Sequence, residues 1–239
     1  KVYAIDFDPR SIKIAKALNL IAGDGKTNVY RANTLDPRNW PDEVKVGLRD
    51  RLLRFPGDPE RDRWNRESYR YFDFDVLLTN PPFAGDIKDS RILAQFDLAR
   101  KPNGKWANKV GRDVLFIQRN LEFLKPGGRM AIVLPQGRLN NTTDKAIRDF
   151  VAQHARILAA VGLHGNTFKP HTGTKTSILF LQKWNDDRKA GPLCPKVDDY
   201  PIFFATSQAA GKDNTGDYVY LSDDKGKRLY DLHGHPMVD

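Results

Sequence analysis

The sequence predicts an α/β protein built on a doubly wound, mostly parallel sheet, and three observations carry that prediction. Short apolar runs of strand length alternate with segments whose apolar residues recur at helical spacing. Capping and breaker residues separate these segments, which marks strand-to-helix units rather than a train of hairpins. One late pair of runs is joined by a helix-free Gly/His/Thr loop, so those two strands should be antiparallel neighbours.

The first element is a strand, Val2 to Ile5. Asp8 and Pro9 then supply an N-cap and a first-turn proline for a helix with Ile12, Ile14, Ala15 and Leu18 on its apolar face. Asn28 to Ala32 is a weaker strand, and the Pro- and Arg-rich stretch from Asp36 to Arg70 reads as an insertion with one short helix. Phe74 to Thr79 is an apolar strand followed by a long polar loop. Val114, Ile117, Leu121 and Leu124 fall at helical spacing, and Lys125-Pro126-Gly127-Gly128 should stop that helix ahead of a strand from Met130 to Leu134. A helix from about Thr143 to Ala155 leads to a strand from Ile157 to Leu163, and Ser177 to Gln182 is the last core strand. Beyond Trp184 the pattern fades into turns and short strands such as Ile202 to Ala205. No internal repeat is evident.

Composition narrows the class. The 239 residues are 40% apolar, enough for one sizeable core with an appendage. No apolar run approaches the ~20 residues that span a bilayer, and the amino terminus has no signal-peptide core, so a cytoplasmic protein with no membrane partner is expected. The lone Cys194 excludes an internal disulfide and a cysteine-rich metal cluster. A formal charge of +9 favours a polyanionic partner. Lys45 to Arg70 carries eight basic residues against five acidic, with Trp64 and Tyr69 interleaved, and Ala84 to Arg112 carries seven against three. Either stretch could contact phosphates or be a solvated surface.

In open sheets of this kind, ligands bind outside the carboxyl ends of the strands. Two strand ends here carry chemistry. Asp6, just past the first strand, can accept hydrogen bonds from ribose hydroxyls, and Phe7 can lie against an adenine face. The second is Asn80-Pro81-Pro82-Phe83. Two prolines end the strand and stiffen the loop. The Asn80 side-chain oxygen and the Pro81 carbonyl are then two acceptors that can converge on one amino group, while Phe83 offers a face for stacking a base. A polar-Pro-Pro-aromatic tetrad arises by chance in only ~1% of chains this long.

Other motifs carry less. Gly173-Thr174-Lys175-Thr176 lacks the Gly-Lys-Ser/Thr order of a phosphate-binding loop and leads into a strand. His233-Gly234-His235 reads as a turn, His164 and His171 are open to DNA contact or to solvent, and Cys194 lacks the preceding proline of a cytosine-C5 nucleophile.

"TNPPF" after a strand, "LKPGGRMAIVLPQGRL" downstream and "NTFKPHTGTKTSILFLQK" later resemble the amino-methyltransferases that act on adenine N6 in DNA, most closely the modification subunit of type I restriction-modification systems. The similarity runs from Val2 to Lys183, with a fainter echo in "PIFFATSQAAGKDNTGDYVY". It implies an S-adenosyl-L-methionine-dependent core over residues 1–184, with basic insertions at 36–72 and 84–112, and a C-terminal extension over 185–239. Asn80, Pro81, Pro82 and Phe83 become the target-adenine motif. Asp6 becomes the ribose acid, and Phe7, Asn33 and Leu35 join it around the cofactor, with Asn33 standing where the family usually has an aspartate. DNA, a specificity subunit and, in the full assembly, a restriction subunit are the implied partners.

One departure from the family is large. Its Gly-rich turn follows a strand that should precede Val2, between the strands at Val2 and Phe74, and Gly23-Asp24-Gly25 follows a helix and cannot replace it. The expectation is a piece of a longer polypeptide whose strands at Val2 and Phe74 flank a gap and do not pair. RNA-base and protein-glutamine methyltransferases share the tetrad, and a degenerate scaffold without catalysis also fits the absent turn. These remain alternative readings of the residues.

Overall fold

The computed structural model describes residues 1–23, 28–52, 69 and 71–239. Asp24, Gly25, Trp64 and most of the Lys45–Arg70 basic stretch fall outside the described residues.

β1 (Tyr3–Asp6) and β2 (Asn28–Arg31) form a parallel pair joined by α1 (Pro9–Ile21). Asp8 caps α1 as expected, its carboxylate accepting the Arg10 N–H at 2.9 Å. The predicted apolar face of α1 is only partly used. Ile12 is buried, but Ile14 and Leu18 are 61% and 60% exposed, because the helix packs on its own two strands and no other described element covers its outer side.

α2 (Asp42–Leu48) is the short helix foreseen in the insertion, and β3 (Phe74–Thr79) opens the main sheet. The stretch after β3 is more than a loop. It forms a small ribbon of β4 (Asp86–Ile87) and β5 (Val110–Gly111) around α3 (Ser90–Leu93), and it buries Leu93, Phe96 and Ala99 against Leu35 and Leu115. Then come α4 (Arg112–Phe123), β6 (Leu124–Pro135), α5 (Gly137–Asn140), α6 (Lys145–His154), β7 (Ala155–Gly162), β8 (Thr176–Lys183) and β9 (Phe203–Thr206).

The main sheet has the order β3-β6-β8-β7-β9. β3 runs parallel to β6 and β7 parallel to β9, while β8 runs against both neighbours, so the single antiparallel strand is the one the Gly/His/Thr loop announces. Val114, Ile117 and Leu121 of α4 and Ile147 and Val151 of α6 pack on Met130, Ile132, Leu134, Leu179 and Leu181. Each such aliphatic side chain stabilises the fold by about 1.5–3 kcal/mol through burial. A second cluster joins Trp40, Val44, Leu48, Leu52, Phe72 and Phe123, with Tyr3, Ile5 and Phe74 at its margin, and so ties the β1–β2 pair to the main sheet.

Two expectations need correction. Lys125-Pro126-Gly127-Gly128 ends α4 but does not precede the strand: β6 begins at Leu124 and accommodates these residues where the β3 register shifts between Phe74↔Leu124 and Val76↔Arg129. Gly127 has φ +74°, and a Cβ there would collide with the Pro192 carbonyl. The C-terminal extension also contains a repeat. Asp213, Asp223 and Asp231 each open a turn in which one carboxylate oxygen accepts backbone N–H groups two and four residues on, with Gly216, Gly226 and Gly234 at positive φ. Each unit is an Asp-x-x-Gly turn with an apolar residue, Val219, Leu229 or Met237, three positions after its glycine, and the unequal spacing between units leaves no fixed period to read.

Lys183 lies beneath the C-terminus of α4, its Nζ donating to the Leu121 and Leu124 carbonyls at 2.7 and 2.8 Å. Burial lowers its ammonium to about 8, opposed by the Glu122 carboxylate. The folded pKa is below the unfolded one, so between pH 8 and 10.5 the unfolded chain holds more protons and stability rises with pH. The urea-unfolding free energy of the native protein, referred to Lys183→Met, should therefore rise by about 2–3 kcal/mol between pH 7 and pH 10. A pH-independent difference would contradict this.

Candidate functional site

Three loops meet at the carboxyl end of the main sheet. The first is Asn80–Gly85 after β3, the second begins at Gln136 after β6, and the third, residues 163–175, enters β8 from the same end because β8 is antiparallel. The Gln136 N–H donates to the Lys175 carbonyl at 2.9 Å, which joins the second loop to the third.

Pro81 is buried and pins the first loop, whereas Asn80 is exposed at its start, and its side chain has no hydrogen-bond partner among the described residues. Phe83 is half-buried and meets Phe168 edge to face, ring centroids 5.4 Å apart. Gly85 completes the turn at φ +94°, with the Arg112 guanidinium where a Cβ would stand. The tetrad thus presents an open amide oxygen beside an aromatic corner. Such a corner can hold a flat ring by its face and edge while acceptors address an amino group on its rim.

Phe168 was not singled out from the sequence. Its one signal is a large apolar residue in an otherwise polar loop, "HGNTFKPHTG". The C-terminal extension braces that loop: Lys212 donates to the Lys169 carbonyl at 3.0 Å, Asn166 donates to the Lys212 carbonyl at 3.1 Å, and Gly216 lies against the Lys169–Pro170 backbone. His171 and Lys175 are exposed on the same loop, and His164 accepts the Asn166 N–H. His233 and His235 sit on the Asp231 turn, as a turn reading predicts.

The other candidates gather at the carboxyl ends of β1 and β2. Asp6 is exposed, and its Oδ1 accepts the Asp8 N–H at 2.7 Å, leaving the second oxygen for another donor. Phe7 is 69% exposed. The Asn33 side-chain oxygen accepts the Leu35 N–H, and the Trp40 indole holds the Asn33 carbonyl at 2.7 Å. Leu35 is 2% exposed and its side chain belongs to the core, so only its backbone can face a ligand.

β1 and β3 do not pair, as expected from the sequence. Together with Phe116, Asn120 and Phe123 they line a trough of about 790 Å³, in which the β3 residues Val76 and Leu78 are largely exposed. Tyr3 and Phe74 touch across it, centroids 5.5 Å apart. Among the described residues no helix is long and apolar enough to cross a membrane.

The chain is similar to several known proteins. The methylase subunit of the type I restriction enzyme EcoEI from Escherichia coli is 34% identical over 110 residues, 46% of this chain and 21% of that protein. The methyltransferase subunit of a type I restriction-modification system from Streptococcus thermophilus superposes with a TM-score of 0.55 at 22% identity, covering 94% of this chain and 39% of its own. The M protein of the type I restriction enzyme EcoKI gives 0.51 at 18% identity, covering 95% and 38%. At such identities the two solved structures speak for the fold alone, and the chain spans about a fifth of the length of the curated relative. The sequence model of the N-6 DNA methylase family matches residues 2–234, nearly the whole chain, with the tetrad and both flanking loops inside the match, and the chain belongs to that family.

Proposed function

We propose that this chain transfers a methyl group from S-adenosyl-L-methionine to the N6 amine of an adenine flipped out of DNA, as the modification subunit of a restriction-modification system. The observation that carries the reading is the exposed Asn80 amide beside the Phe83–Phe168 corner at the end of β3. Phe83 stacks the extruded base, and Phe168 meets its edge. The Asn80 oxygen and Pro81 carbonyl accept the two N6 hydrogens, which draws the nitrogen toward sp3 character and raises its lone-pair density. No general base with a tuned pKa is required, since the proton becomes acidic once the nitrogen is alkylated.

The residues at β1 and β2 suit the ribose and adenine of the cofactor. Asp6 has a free carboxylate oxygen for ribose hydroxyls, Phe7 an open ring face, and Asn33 an amide at the loop edge. When bound, S-adenosyl-L-methionine supplies an electrophilic methyl group. We read the trough between β1 and β3 as the seat of a further strand whose Gly-rich turn would hold the amino-acid end, since strand edges and exposed apolar side chains line it. Residues 1–184 form the methyltransferase core, and 185–239 an extension that lends β9 to its sheet. The charge of +9 and the likeness to type I subunits support DNA and a specificity subunit as partners, with a restriction subunit in the full assembly.

Radiolabelled methyl donor offered to the intact protein with DNA, RNA and glutamine-containing peptide tests the reading, with label expected in DNA as N6-methyladenine. Label in RNA or peptide alone, or in none, would overturn it. Asp6→Ala should weaken cofactor binding by roughly 1.5–3 kcal/mol, the range for a hydrogen bond to a charged group. Unchanged affinity by calorimetry would return Asp6 to the turn it makes with Asp8.

A further inference from the structure

We propose that Arg119 is a positioning residue that fixes the Asn33–Asp36 loop from inside the core, and so sets cofactor affinity without touching the ligand. The inference rests on reading that loop as the cofactor's adenine seat. Arg119 stands on α4, is 0% exposed, and is the largest fully buried side chain among the described residues. Its Nη1 donates to Glu122 at 2.6 Å, and its Nη2 donates to the Gln95 side-chain oxygen at 3.2 Å and to the Leu35 carbonyl at 3.4 Å. The guanidinium also lies over the Phe96 ring, 4.6 Å from its centroid.

Gln95 extends the reach. Its amide donates to the Asp36 carboxylate at 3.4 Å, and Asn39 donates to the other Asp36 oxygen at 2.7 Å. Trp40 holds the Asn33 carbonyl, so three of the loop's four residues are tied to groups behind it. Stability alone gives little reason for this device, because a buried ion pair replaced by apolar side chains of similar volume is often neutral or stabilising. Geometry gives a reason. A planar guanidinium can address a carboxylate, an amide and a backbone carbonyl at once in fixed directions, which an ammonium or a thioether cannot.

Hydrogen exchange and calorimetry on the intact protein separate positioning from bulk stabilisation. Arg119→Lys keeps the charge and the Glu122 pair but loses the fork. It should speed amide exchange at 33–36 at least tenfold without changing β6 and β8, raise the Kd and KM for S-adenosyl-L-methionine about tenfold, and leave kcat at saturation within twofold. Glu122→Gln, which removes the carboxylate but leaves the Leu35 and Gln95 contacts, should change Kd less than threefold. Unchanged loop exchange and Kd in Arg119→Lys would overturn the proposal, as would equal losses in both variants that track global unfolding. If the unaltered protein bound no cofactor, the adenine-seat reading would fail, and faster loop exchange in Arg119→Lys would then mark a structural clamp only.

Discussion

Asn80→Ala in the intact protein is expected to lower methyl transfer by about 10²- to 10³-fold at saturating cofactor and DNA, the effect of removing one preorganised polar partner of a transition state. Asn80 is exposed, lies outside every hydrophobic cluster and supports no other described side chain, so its truncation removes the proposed acceptor for the target amine and little else. Pro81, buried beside it, keeps the loop in place. Cofactor affinity should stay within about twofold, because Asp6, Phe7 and Asn33 lie on the other ladder. Asn80→Asp preserves an acceptor oxygen at the same reach and should be less impaired than Ala. Steady-state kinetics with an oligonucleotide substrate measures both, and near-normal turnover of the Ala variant would remove Asn80 from the chemistry.

Phe123→Ala should destabilise the fold by about 3–5 kcal/mol, the range for deleting a buried aromatic side chain. Phe123 is the last residue of α4 and meets Phe72 at 4.8 Å and Trp40 at 6.0 Å, both nearly edge to face. It also lines the trough. Its loss therefore opens a cavity where the β1–β2 pair, α2 and the main sheet join. Chemical denaturation should report the drop in stability. Amide exchange should rise first in β1 and α2 and last in β6 and β8, whose core rests on a separate cluster. A loss below about 1 kcal/mol would show that the cluster does not join the two ladders.

Both the legible and the hidden features of this chain have physical reasons. Local rules were legible: Asp8-Pro9 starts α1, and Val114, Ile117 and Leu121 face the core at 3.6-residue spacing. The tetrad was legible because prolines both stop a strand and stiffen the loop after it. Contacts between distant segments were not. Nothing near Phe83 specifies that Phe168, 85 residues later, will close its corner. Arg119 sits in a helix where a charged residue normally reads as solvent-facing, and only the tertiary fold brings Gln95 and Leu35 to it. Lys183 likewise reads as a strand's polar end until β8 passes beneath α4. Leu35, expected at the cofactor, spends its side chain in the core, since an apolar group beside a loop is drawn into whatever cluster the next helix offers.

Under the proposed function, the loop at the end of β3 directs methyl transfer to adenine N6 in DNA. Mass spectrometry of nucleosides from cells carrying the intact gene, its deletion or an Asn80→Ala allele tests it most directly. N6-methyladenine should be present with the intact gene and absent from both altered strains, at equal protein levels for the intact and Asn80→Ala alleles. N6-methyladenine at the same level in all three strains would contradict this role of the loop.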